Sequence, residues 1–228
     1  MTTASRGPAV SRPGFRSGRV LGGLALLASL PVISGTLRLV QLAGGPQLMP
    51  VDPRFAASAV PLVAHVVGSL LFALVGAVQF VPELRRRGHT WHRRAGRAVA
   101  VFGVVAAGSA LWITLFASRR PGTGDLLFAL RLAFASAMVA CLALGFAAIR
   151  RGDVTMHRAW MVRAYAIGMA AGTQALTEGV SRALLGSTVL LDDTAKGMGW
   201  ILNLAVAEWV IRRSGRRHRA VPATSARR

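Results

Sequence analysis

Largely apolar stretches at 20–37, 59–82, 98–117, 126–149, 159–185 and 197–211 alternate along the chain with short segments rich in Arg, Gly and Pro. A helix needs ~20 residues to cross a bilayer's hydrocarbon core. The first five stretches are near or above that length, and each predicts a membrane span. The sixth is shorter and contains Glu208, so it must start earlier, tilt, or be sheltered by its neighbours. Backbone in lipid has to satisfy its own hydrogen bonds, which makes such spans helical. The predicted fold is therefore all-α, a polytopic transmembrane bundle of six helices filling 20–213. Residues 1–19 and 214–228 are Arg-rich and lack apolar periodicity, and read as disordered basic tails. The first run exceeds the ~7–15-residue apolar core of a signal peptide, which favours an uncleaved span.

Charge then fixes a direction for this bundle. The net charge is +20, from 28 Lys+Arg against 8 Asp+Glu, a balance that in a soluble protein would suggest nucleic acid. Here the chain is 53% hydrophobic and the arginines gather between the apolar stretches. Positive charge is retained on the cytoplasmic side of a membrane. Arg6, Arg12, Arg16 and Arg19, the segment ELRRRGHTWHRRAGR, the segment RRGDVTMHR and the C-terminal RRSGRRHRAVPATSARR all fall on one side. The other side holds only Arg38, Arg54, Arg119, Arg120, Arg182 and Lys196. Both termini are accordingly expected in the cytoplasm, in a multi-pass protein of a bacterial cytoplasmic membrane. Anionic lipid headgroups would meet its basic face, and no nucleic acid is expected as a partner. Oligomeric state is not legible.

Ionisable residues at membrane depth are costly and mark either pairs or polar cavities. His65, Arg131 and Glu178 each lie roughly 8–10 Å below the outer end of a different span, at 1.5 Å per helical residue. Gln174 is one turn from Glu178, and the four form an outer polar layer. One reading makes Arg131–Glu178 a buried ion pair that fixes helix register. The other makes this layer a site open to the outer face, where Arg131 holds an anionic or carbonyl group and His65 or Glu178 moves a proton.

An inner layer contains Gln79, Glu83, His92, Arg97, His157, Arg163 and Glu208, with Arg163 and Glu208 as its natural ion pair. His92 and His157 enter at matching depth on two helices, the arrangement that bis-histidine ligation of a b-type haem requires. The competing reading has these histidines bonding helix ends or lipid headgroups. Cys141 is alone, which excludes disulfides and Cys-based metal motifs. Asp192 and Asp193 fall in a predicted outer loop and read as solvated. Gly168 and Gly172 form a GxxxG suited to close helix packing. Trp112, Trp160, Trp200 and Trp209 lie near span ends and fit interfacial belts.

No phosphate loop, nucleophile triad or zinc-binding helix is present, so no enzyme class is indicated. The stretches HVVGSLLFALVGAVQF (from His65), HTWHRRAGR (from His89), RLAFASAMVACLALGFAAIRRGD (from Arg131), HRAWMVRAYAIGMAAGTQALT (from His157) and NLAVAEWVIRR (from Asn203) resemble a bacterial membrane family, domain of unknown function 2306. His92-Arg93 with Gly96-Arg97, and His157-Arg158 with Trp160-Met161 and Arg163, are the specific elements of that resemblance. It spans about 60–213 and implies a multi-pass helical membrane protein, without bringing an activity or cofactor. Ala98, Val99 and Ala100 depart from it, standing where an aromatic residue would be expected. Two functions remain open at this point. One is a redox-linked or small-molecule-binding bundle using haem or a quinone. The other is a non-catalytic assembly partner or permeation component whose polar layers are structural.

Overall fold

The computed structural model describes residues 14–56, 58–79 and 89–219, with the side chains of 14–21, 89 and 215–219 left aside. Seven helices follow one another: α1 (Gly14–Leu42), α2 (Val60–Gln79), α3 (His89–Phe116), α4 (Asp125–Arg150), α5 (Val154–Gly168), α6 (Ala170–Leu185) and α7 (Val189–Arg219). A single 3-10 turn, Pro53–Phe55, interrupts the connection from α1 to α2. No strand occurs among the described residues. Four helical segments, Gly22–Leu42, Val60–Gln79, Thr90–Phe116 and Asp125–Arg150, are long and apolar enough to cross a membrane. The protein is an all-helical membrane protein with transmembrane helices.

Several expected boundaries move. Helix α1 begins at Gly14, inside the expected tail, whereas residues 1–13 and 220–228 lie outside the described residues. Helix α7 begins at Val189, eight residues before 197, and runs on to Arg219. The segment expected as an outer loop around Asp192 is thus the first turns of the last helix. The stretch 159–185 is broken in two at Met169, which separates α5 from α6.

That break organises the molecule. Helix α5 packs against α4, α7, α2 and α3, and so lies at the centre of the bundle. After Met169 the chain leaves the centre, because α6 packs mainly against α7 and α1. Helices α1, α2, α3, α4, α7 and α6 then form a ring with its middle unfilled at the end bearing the 43–59, 117–124 and 186–188 connections, called here the mouth end. At the opposite, basic end α5 fills the middle.

Breaking a helix in an apolar interior frees backbone carbonyls that must find other donors. Asn203 of α7 supplies one, donating Nδ2–H to the Ala166 carbonyl at 3.0 Å. Its Oδ1 accepts from the Thr173 hydroxyl at 2.8 Å, on the other side of the break. One amide therefore spans the discontinuity.

Small residues bring the helices together where burial in lipid gives little drive. A Cβ on Gly68 of α2 would lie 3.0–3.2 Å from α3 backbone at Ala106 and Phe102. One on Gly168 would lie 2.6 Å from the Phe72 ring, and one on Gly172 only 1.8 Å from the Leu27 carbonyl oxygen of α1. Pro31, four residues on, has no N–H to offer that carbonyl. The Gly172 Cα hydrogen points at it instead, a weak C–H···O contact that only glycine permits. The core below the break is Phe72, Met138, Cys141, Leu142, Ala164, Tyr165, Ile167 and Met169. Tyr165 donates its hydroxyl to the Ala73 carbonyl at 2.9 Å, tying α5 to α2.

Candidate functional site

The unfilled middle of the ring is a cleft of about 490 Å³. Its walls follow single stripes of each helix, as helical periodicity requires. Helix α4 contributes Arg131, Ala135 and Met138; α2 contributes His65, Ser69 and Phe72; α3 contributes the small residues Ala106, Ala107 and Ala110. Gln174, Lys196 and Trp200 close it from α6 and α7. The lining is graded. Arg38, Asp52, Arg54 and Arg120 stand at the mouth, and Phe72, Met138, Ile167 and Met169 form the floor.

His65 lies within 2.9 Å of the Ala106 carbonyl through Nδ1. A carbonyl only accepts, so Nδ1 carries the proton in the neutral ring and Nε2 keeps its lone pair. Gln174 buries its Nε2 without an acceptor. Arg131 is half-buried, and its guanidinium makes no hydrogen bond or ion pair among the described residues. The charges acting on it are Arg54, Asp193 and Arg120, two of them positive.

The other mouth-end charges, Arg120 apart, have partners. Arg54 forms a 2.6 Å ion pair with Asp52, which also caps the 3-10 turn. The Arg54 guanidinium holds the Asp52 carboxyl below the usual range. Arg38 donates to the Pro50 carbonyl at 2.9 Å, and Arg119 pairs with Asp125. Arg182 binds Asp192 at 2.8 Å.

The expected outer layer is therefore split. His65, Arg131 and Gln174 share the cleft, but Glu178 does not line it and does not pair with Arg131. Glu178 sits between Arg182 at 2.7 Å and Lys196 at 3.0 Å, so it is taken up by two cations of its own helix and of α7. The two aspartates expected in solvent are buried, Asp193 at 1% and Asp192 at 4% exposure. Asp193 accepts from the backbone N–H of Gly124 at 3.0 Å and Leu127 at 3.1 Å, capping α4 from across the bundle. Trp200 stacks on Phe134 with centroids 4.7 Å apart, and Trp160 packs on the core, so both are taken up by contacts within the bundle. Trp112 and Trp209 are exposed.

At the basic end Arg163 and Glu208 form a two-bond ion pair, 2.5 and 3.1 Å, with Arg163 also over the Trp160 ring. Gln79 buries both amide atoms without a partner among the described residues. Arg97 is exposed, not buried as expected, because it falls on the outward face of α3's first turns. Glu83 lies outside the described residues. His157 donates Nδ1–H to the Gly145 carbonyl at 2.8 Å, leaving Nε2 free in the neutral ring. His92 is half-buried on α3. Neither histidine lines the cleft.

Sequence reasoning placed Arg38, Arg54, Arg120 and Lys196 as topology markers, although all four line the cleft. It also passed over Asn203, whose signal is an amide within an apolar run. No curated protein and no solved structure matches the chain. The profile of the DUF2306 family, described as predicted membrane proteins, matches residues 62–211, from the first turn of α2 to near the end of α7. This interval contains His65, Arg131, Gln174 and both halves of the broken helix, and the chain belongs to the DUF2306 family of predicted membrane proteins.

Proposed function

We propose that this protein is a polytopic bundle of the bacterial cytoplasmic membrane that binds a small molecule in the mouth-end cleft. In this reading the basic end and both termini face the cytoplasm, with α5 and α6 together forming the fifth crossing. The carrying observation is Arg131. An unpaired guanidinium at membrane depth, beside two further arginines, is strongly destabilising unless something completes it. Asp193 attracts it without bonding to it, and no protein group bonds it among the described residues. A ligand offering a carbonyl or anionic acceptor would.

Three groups support selective binding. Arg131 provides a planar fork of donors. Gln174 lines the same cleft, with its Nε2 buried and without an acceptor among the described residues. His65 Nε2 offers a lone pair that can accept a hydrogen bond or take a proton. A cleft of this volume lies within the ~300–1,000 Å³ of small-molecule sites. The same group set suits a carbonyl that gains protons on reduction, as a quinone does, so the redox-linked role attaches to the cleft rather than to the His92 and His157 layer.

The test uses purified protein in nanodiscs of phosphatidylcholine. Trp200 lines the cleft and reports occupancy by its fluorescence. A panel of quinones, carboxylates and phosphate esters should contain at least one compound that saturates this signal. Trp200→Phe should remove the signal, and Arg131→Gln should weaken binding at least tenfold. A flat response to the whole panel would remove the binding reading and leave a structural or permeation role.

A further inference from the structure

Beside the mouth of the cleft lies a second, much smaller pocket of about 20 Å³. Room of that size holds about one water-sized atom. Its lining includes Arg54, Arg119, Arg120 and Arg131, with no carboxylate among the lining side chains. Arg54, Thr114, Arg120 and Arg131 border both spaces, so the two adjoin. Below Arg131 the wall turns apolar. Along α4 it passes Ala135 to Met138, about 10 Å further in at 1.5 Å per residue, and ends on Phe72 and Met169.

Resting on the cleft as a binding site, we infer that its ligand is an anionic amphiphile, a carboxylate or phosphate monoester on an unbranched or ring-bearing hydrocarbon body. The head's oxygen occupies the arginine pocket, and the body lies along the floor. Charge decides between this and a neutral carbonyl ligand. Asp52 takes up Arg54 and Asp125 takes up Arg119. The side chains of Arg120 and Arg131 have no acceptor among the described residues. Two guanidinium groups without a bonded acceptor around one small pocket repel each other, Asp193 offsets part of this at Arg131 without bonding to it, and a neutral carbonyl would relieve far less of the repulsion than an anion. A carboxylate or phosphate relieves it and accepts from both forks, the bidentate geometry for which guanidinium is suited. The apolar floor excludes a fully hydrated anion, since Phe72, Met138, Ile167 and Met169 offer it nothing.

The experiment titrates decyl phosphate, decanol, inorganic phosphate and decylubiquinone against the nanodisc-embedded protein, reading Trp200 fluorescence with Trp200→Phe as blank. Decyl phosphate should bind at least tenfold more tightly than decanol and than inorganic phosphate. Arg131→Gln should cost it at least tenfold, and Arg131→Lys, which keeps the charge, less than that. Should Arg131→Gln fail to fold, Arg120→Gln at the exposed mouth replaces it and should cost at least threefold. Decanol binding as tightly as decyl phosphate would overturn the role of charge. Inorganic phosphate binding as tightly would show a free-anion site and overturn the role of the apolar body. Decylubiquinone binding most tightly with Arg131 dependence would overturn the anionic amphiphile and leave the cleft a binding site. No binding by any of the four would overturn the inference as well.

Discussion

At the scale of single residues, the partners chosen by each charge decide what it can do. Asp52 is committed to Arg54 and to its own turn. Its folded pKa is depressed, so its stabilising effect is present above the ordinary aspartate value of about 4 and is lost as pH falls through the lower folded value. The melting difference between the wild type and Asp52→Asn should be constant from pH 7 to 5 and shrink on further acidification. A difference that grows in acid would contradict this sign. Arg163 and Glu208 are committed to one another, with side chains 24% and 34% exposed. Truncating one strands the other. Glu208→Ala should cost about 2 kcal/mol, below the ~3–5 kcal/mol of a fully buried pair because some solvation persists. The double change Arg163→Met, Glu208→Leu should melt higher than Glu208→Ala, and equal melting of the two would argue against a pair.

At the scale of elements, the broken fifth stretch is the feature that the sequence pattern concealed. Its apolar residues run without Pro from 159 to 185, so periodicity alone reads one helix. The discontinuity is set by groups elsewhere, chiefly Asn203 on α7 and the close approach of α1 at Gly172. Asn203→Leu would leave the Ala166 carbonyl and Thr173 hydroxyl unpaired, at about 1–3 kcal/mol for a buried group. Detergent melts should fall accordingly, and an unchanged melt would mean the break needs no bridge. Gly172→Ala should destabilise or displace α1, since the new methyl would collide with the Leu27 carbonyl. Gly108→Ala, with nothing within 4 Å, should be tolerated. The four helices long and apolar enough to cross a membrane were legible because length and hydropathy are local properties. His65, Arg131 and Gln174 line one cleft, and their nearness was legible because height along a helix follows from position in the sequence. Glu178 was misplaced because pairing depends on helix rotation, and Arg182 and Lys196 lie nearer to it than Arg131.

At the scale of the whole molecule, a centre filled at one end and open at the other gives the bundle a polarity that matches the distribution of its arginines. The orientation proposed above predicts that the cleft faces away from the cytoplasm. In a Cys141→Ser background, Ser118→Cys at the mouth end should react with an impermeant maleimide in intact cells. Thr155→Cys at the basic end should react only after lysis. The reverse pattern would invert the topology. Cys141 itself is buried in the core and free, so its replacement by a residue of similar size leaves a clean background.

The cap that Asp193 places on α4 also constrains how the bundle is made. The first N–H groups of α4 emerge from the ribosome more than sixty residues before the carboxylate that will satisfy them. Until the last helix enters the membrane, that helix start is incomplete and α6 has no α7 to lie against. Assembly of the cleft therefore waits for α7, and a nascent chain arrested before Val189 would hold its early spans in lipid with that cleft still unclosed.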